Sequence, residues 1–437
     1  MNGSTLGTVK VISLYKVLLY LVVIAGFFGS SFFSIDLGGF HIFLFRFLLL
    51  LLWFAAILYV FLNHGKLNIS HIRVKYYLQF LALWGLYAVL TLAWVNSPAE
   101  AVRHVILLVS GISMSFFVVG YFTRLEDFRR LYFIWLLVLL PMIGLGFWNH
   151  LTGQHLAGSA LAYAPERFIR MPTAVFHNPN DYATYLALSV PFMLVLIRYA
   201  QSKITALWGL VMLLATLYLL VVTLSRANYL AVTLGVSFWF LFLHRLSKKL
   251  RVAVLSVLLA LSLFAVFPNQ FADVTNNIGV QMASLAVGSE LQEGSVGVRI
   301  NLLKNALMFT LEHYGFGVGA GNIEYHMVNY PFYDTGGIIN VHNWWVEILA
   351  NYGFFIFAGY LLFYWGIVIS LYQAHSKQAE RAAKMVCEAL LVALVIFFLA
   401  SISSSTIMGF TPMWTLFAFA LGFLNYHRMK QVRGADQ

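Results

Sequence analysis

The chain has 437 residues, 61% of them hydrophobic and 10% charged, with a mean hydropathy of +0.82 and a formal net charge of +11. A soluble globular domain carries about 25% charged residues, so that class is excluded, and a single cysteine, Cys387, excludes an intrachain disulfide. The positive charge reads as membrane topology rather than nucleic-acid binding, because most of the 27 Lys and Arg residues fall in alternate connections between apolar runs.

An apolar run of about 20 residues spans a bilayer as a helix. Twelve such runs lie near 11–34, 40–62, 76–95, 100–122, 128–148, 181–200, 204–222, 227–244, 252–268, 345–372, 385–407 and 411–426. Uninterrupted runs this long are not barrel strands. They predict an all-α polytopic membrane protein of about 12 transmembrane helices. The first run lacks a small-residue cleavage site and is too long for a signal peptide, so it is read as the first span. The chain then divides into nine spans over 1–268, a polar connection over 269–343, and three spans with a tail over 344–437.

With the N-terminus inside, the inner connections hold basic clusters such as Arg124, Arg129 and Arg130, or Lys377, Arg381 and Lys384. The outer ones hold only Arg103, Arg167, Arg170, Arg226, Arg299 and Lys304. The positive-inside bias therefore predicts both termini in the cytoplasm and the large loop between spans nine and ten outside. Arg46 lies within the second run, where a charge is either functional or reaches back to the interface.

The outer loop from 149 to 181 ends in Phe-His177-Asn178-Pro179-Asn180-Asp181. This turn has N-capping character and starts a helix whose free N–H groups face outward. Ser225-Arg226 fills the tight turn between spans seven and eight, so Arg226 sits at the outer boundary. In the large loop, residues 269–297 are polar. Apolar residues at 300, 303, 307 and 311 then predict an amphipathic helix on the membrane surface, with Arg299 in its first turn. Gly315-Phe-Gly317-Val-Gly319-Ala-Gly321 departs from Gly-x-Gly-x-x-Gly and lacks a following Lys-Ser/Thr, so it reads as a backbone turn packed on neighbouring helices rather than a nucleotide loop. His342 stands at the start of the next span, before Asn-Trp-Trp-Val-Glu347.

Arg103, Arg167, Arg170, Arg226, Arg299 and His342, with Asn178, Asn180 and Glu347, thus collect at one membrane boundary. Arginine offers a fork of donors suited to phosphate oxygens, and a histidine titrating near neutrality can act as a general base. Outer acidic residues are few and unclustered, so neither a metal nor an organic cofactor is expected.

These motifs resemble the O-antigen ligase/polymerase superfamily of bacterial glycosyltransferases. The resemblance rests on Phe-His177-Asn-Pro-Asn180-Asp-Tyr-Ala, Ser225-Arg226-Ala, Val-Gly-Val-Arg299, the glycine ladder and Val-His342-Asn-Trp-Trp-Val-Glu347-Ile-Leu-Ala-Asn-Tyr-Gly353. It implies a GT-C-like fold and an inverting transfer, without metal or nucleotide, of glycan from undecaprenyl pyrophosphate to a sugar hydroxyl of lipid A–core at the periplasmic face of the inner membrane. It also implies His342 as general base and Arg226 and Arg299 as pyrophosphate holders, with Arg170 a weaker holder and Asn180 a helix cap. Glu347, His177 and Arg103 are supporting candidates. The implied partners are the lipid-linked donor, the lipid A–core acceptor and membrane lipids, with no nucleic acid. An O-antigen polymerase or a protein O-oligosaccharyltransferase would run the same chemistry. A secondary transporter is the reading from another class, but it would gather polar groups at the bilayer midplane rather than at one edge.

Overall fold

The computed structural model describes residues 3–29, 34–37, 40–62, 69–244, 250, 253, 296–404 and 407–435. The expected ninth span, residue 253 apart, and the polar stretch 269–295 lie outside the described residues. The first half contains α1 (Gly3–Phe28), a short hairpin of β1 (Ser34–Leu37) and β2 (Phe40–Phe43), α2 (Leu44–Leu62), α3 (Lys75–Leu90), α4 (Pro98–Tyr121), α5 (Leu125–Thr152), α6 (Glu166–Ile169), α7 (Pro179–Tyr199), α8 (Lys203–Val222) and α9 (Arg226–Leu243). After it come α10 (Val296–Glu312), α11 (Ile323–Asn329), α12 (Trp344–Lys377), α13 (Arg381–Ala400) and α14 (Thr411–Ala435). Among the described residues, nine helices are long and apolar enough to cross a membrane, and Leu14–Phe28 of α1 adds a shorter apolar helix. The chain is a polytopic helical membrane protein.

Several boundaries differ from those read off hydropathy, three of them as follows. α1 stops at Phe28, where Gly29 takes a left-handed φ of 57°. The second span begins at Leu44 because β2 pairs antiparallel with β1, Ser34 opposite Phe43. α13 ends at Ala400 rather than near 407, and just beyond it the Ser401 carbonyl and the Ser403 and Ser404 hydroxyls bond to other elements. Pro141 and Pro191 lie inside continuous helices.

α7 and α13 form the centre, with 78% and 72% of their apolar windows buried, whereas α2 lies at the rim with 17% buried. α7 packs on α8, α9 and α13, and α14 packs on α4. A buried polar seam runs through this centre. Asn228 donates to Thr184 and Ser225, Ser404 donates to Thr184, and the Ser225 and Ser403 hydroxyls lie 3.0 Å apart. Polar groups away from water need such internal partners. The seam fixes the N-terminal ends of α7 and α9 against the segment 401–404.

α10 and α11 form a second, smaller core. Val298, Leu302, Ala306 and Phe309 of α10 pack with Ile323 and Met327 of α11, Val318, Val341 and Ala350. The stripe Ile300, Leu303, Leu307 and Leu311 is on the opposite, exposed side. α10 therefore has two apolar faces, one against protein and one outward.

Candidate active site

The site is built around the entrance to α12. Asn343 caps the helix, its side-chain oxygen accepting from the backbone N–H groups of Trp345 and Val346. Trp344 and Trp345 are buried and anchor the first turn through Tyr360 and the Phe398 carbonyl. The Trp344 N–H donates to the Ser401 carbonyl. His342 precedes this anchored turn with a left-handed φ of 50°. Such a conformation costs a non-glycine residue roughly 1–3 kcal/mol and persists only where the surroundings impose it. Its N–H donates to Asn340 Oδ1 at 2.9 Å. Asn340 Nδ2 in turn donates to Glu324 Oε1 at 2.9 Å.

The His342 imidazole is half-buried. Burial first, and the positive charge of Arg299 second, hold its pKa below the ordinary 6.5. The ring is therefore neutral at neutral pH and able to accept a proton. Arg299 is exposed in the first turn of α10, and its positive charge bears on His342. Arg226 is exposed at the first position of α9. The residue before it, Ser225, is tied to Ser403 at 3.0 Å, and the α12 entrance is tied to Ser401. The segment 401–404 is the shared anchor of the Arg226 turn and the His342 turn.

Glu347, one turn into α12, faces His104 Nε2 at 3.4 Å, and His104 Nδ1 lies 3.0 Å from the Tyr352 hydroxyl. Glu324 stands in the same neighbourhood. Burial foremost, and the charges of Glu347 and Glu100, push its pKa up from the carboxylate range, against the opposing pull of Asn340 and His104. The His342 turn thus feels the charge of Arg299 and is linked through Asn340 to Glu324, on which Glu347 bears.

The remaining expected residues make other contacts. The Arg170 carbonyl accepts from His150 of α5, and its side chain is exposed. His177 fastens its own loop, with Nδ1 2.9 Å from the Gly158 carbonyl. Asn180 does not cap α7. Asn178 does, accepting from the Asp181 N–H at 2.9 Å, because the helix starts two residues earlier than expected, with Pro179 at its first position. Arg103 is exposed and 3.7 Å from Glu100 one turn away. The Arg46 guanidinium sits 4.8 Å over the Phe43 ring and lines a cleft with Ser110, Thr411 and Trp414.

The glycine ladder is a packed backbone turn, as its spacing implies. α12 breaks at Gly353, with φ 75° and ψ −177°, which frees backbone groups. Val318 and Gly319 N–H groups donate to the Ala350 and Asn351 carbonyls, and the Phe354 N–H returns to the Gly315 carbonyl. A Cβ on Gly317 would come 2.6 Å from the Gly353 nitrogen, so only glycine lets the two backbones meet. Asn322, fully buried, clamps the ladder to Ser97 at the start of α4. Asn305 of α10 takes the N–H groups of Phe332 and Tyr333. Asn340, Glu324, His104 and the 401–404 segment are absent from the sequence-based site. Asn340 alone carried a local signal, an Asx side chain two residues before His342.

A family model described as O-Antigen ligase matches residues 211–361, which include Arg226, Arg299 and His342. Over 418 residues, 95% of this chain and 85% of the relative, the sequence is 34% identical to the teichuronic acid biosynthesis protein TuaE of Bacillus subtilis (strain 168). The chain belongs to the O-antigen ligase/polymerase superfamily. It is a membrane enzyme of the glycosyltransferase type that this superfamily comprises. The matched stretch runs from α8 through the α12 kink, so it covers both arginine turns, the glycine ladder and the histidine turn.

Proposed function

We propose that this protein transfers a glycan from undecaprenyl pyrophosphate to an acceptor sugar hydroxyl at the outer face of the cytoplasmic membrane. The acceptor oxygen attacks the anomeric carbon from the face opposite the leaving group. His342 takes the hydroxyl proton as the new C–O bond forms. The C–O bond to the pyrophosphate breaks, and its electron pair leaves on the pyrophosphate. Arg226 and Arg299 hold that developing charge, with Arg170 a further holder at the rim. The glycosyl pyrophosphate supplies the driving force, so no nucleotide or metal enters the cycle. The observation that carries this reading is a half-buried histidine in an imposed left-handed turn, kept neutral by burial and by an adjacent arginine.

Two acceptors fit this chemistry. Lipid A–core is the one that the ligase resemblance implies. A second lipid-linked glycan would make the protein a polymerase, and a near full-length relative named for teichuronic acid biosynthesis rather than for O-antigen keeps that reading beside the first. Purified protein in liposomes, supplied with undecaprenyl-pyrophosphate-linked oligosaccharide and chelator, tests both. Ligation requires product only when lipid A–core is added. Polymerisation requires elongated lipid-linked product without it. Transfer at full rate by His342→Ala would sink the assignment of the base.

A further inference from the structure

We propose that Glu324 and Asn340 form a positioning strut that sets the His342 imidazole for proton transfer. The inference rests on His342 being the base. A left-handed backbone is uncommon at a non-glycine residue, although histidine adopts it more readily than most, and at His342 the backbone N–H is held by Asn340 Oδ1. An asparagine amide can be turned end for end. Here only one orientation serves, because the oxygen must face the His342 N–H while the nitrogen faces the Glu324 carboxylate. Glu324 therefore decides which end of Asn340 meets His342.

The far end of the strut is itself fixed. Glu324 is the second residue of α11, whose neighbouring Ile323 is buried and donates its N–H to Asn351 Oδ1 of α12 at 3.2 Å. Asn322, just before, is clamped to Ser97 of α4. Between Asn340 and His342, Val341 is buried in the small core shared by α10 and α11. The turn is thus pinned at Asn340 by the amide, at Val341 by packing, and at Asn343 by the α12 cap. Glu324 and Asn340 act through the backbone of His342 and need not touch substrate.

The test uses the polarity of the strut. Asn340→Asp keeps an oxygen for the His342 N–H but sets carboxylate against carboxylate. Glu324→Gln keeps an acceptor for Asn340. The double variant restores a donor–acceptor pair with the N–H now on the residue 324 side. Full-length protein in liposomes is assayed at about pH 8, which favours ionised carboxylates, with a donor and acceptor that support transfer by the unaltered protein. Asn340→Asp is expected to lower kcat about 10-fold or more with donor KM within about twofold, as loss of a buried bond that acts on the chemical step requires. Glu324→Gln and the double variant are expected within about threefold of the unaltered protein. In a His342→Ala background, Asn340→Asp should change the residual rate no further. The strut is refuted if Asn340→Asp alone keeps its kcat, if the double variant recovers nothing, or if the loss persists undiminished without the histidine. An inactive His342→Ala beside a fully active Asn340→Asp would leave the base standing and remove the strut. A fully active His342→Ala would remove both.

Discussion

Val298 and Val341 are buried in the same small core, and each is the immediate sequence neighbour of a candidate site residue, Arg299 and His342. The spacing between the cation and the base is therefore set where α10 packs on α11 and on the start of α12. Phe309 is the largest wholly buried side chain of that core. Phe309→Ala should destabilise it by about 3–5 kcal/mol. Transfer activity should fall while the central helices α7 and α13 stay folded. Hydrogen exchange would show this as faster exchange confined to α10, α11 and the 340–343 turn. Equal acceleration in α7 would contradict it.

The pH dependence of transfer follows from the lowered pKa of His342. The active form is the neutral imidazole. It is the major form at 6.5 and is lost as pH falls through the depressed value. The rate under single-turnover conditions should level off toward neutral pH and decline on the acid side with a midpoint below 6.5. Arg299→Gln removes one of the two causes and leaves burial in place. The midpoint should then rise toward 6.5 without passing it, beside a fall in rate from weaker pyrophosphate binding. An unchanged midpoint would show that the arginine field does not reach the base.

The break in α12 makes a sharper steric prediction. A Cβ on Gly353 would lie 2.0 Å from the Gly315 carbonyl oxygen, and its φ of 75° lies where other residues are strained. Gly353→Ala must therefore push the glycine ladder off the helix or straighten it. Either movement displaces Asn322 and with it α11. We expect loss of transfer with the protein still inserted and extractable. Gly144, whose Cβ would meet nothing within 4 Å, is the matched control, and Gly144→Ala should be neutral.

These features differ in how far the sequence discloses them, and the difference is physical. The spans are legible because a lipid-crossing helix must be a long apolar run. The hairpin before α2 was hidden by the same averaging, although Gly38-Gly39 between two apolar segments is a hairpin signal. α10 shows the limit of periodicity. Residues 300, 303, 307 and 311 and residues 298, 302, 306 and 309 both recur at helical spacing, and only the partner helices decide that the second set is buried. His342 and the arginines stood out as polar groups beside greasy runs. Glu324 did not, because its connection to Asn340 joins two elements that meet only once the glycine ladder has turned the chain back onto α12.

The last prediction separates stability from chemistry at the two ends of the bundle. Glu388 of α13 is fully buried at the end opposite His342. It accepts hydrogen bonds from Arg198 and Tyr199 at the end of α7 and from Trp239 of α9, and His375 of α12 lies 3.2 Å away. One carboxylate thus ties four helices. Removing Arg198 leaves that carboxylate without its cation, a change that destabilises by about 3–5 kcal/mol where a buried pair is broken. The half-buried position of Arg198 puts the expected loss at the lower end of that range. Arg226, by contrast, is exposed at the first position of α9, and its removal should leave stability nearly unchanged while lowering kcat about 100-fold or more, as for loss of one preorganised group on a developing anion. Thermal unfolding in detergent and transfer rate, measured on Arg198→Ala and Arg226→Ala side by side, should give opposite patterns. The division of labour would be wrong if Arg198→Ala unfolded like the unaltered protein, or if Arg226→Ala lost stability as well as rate.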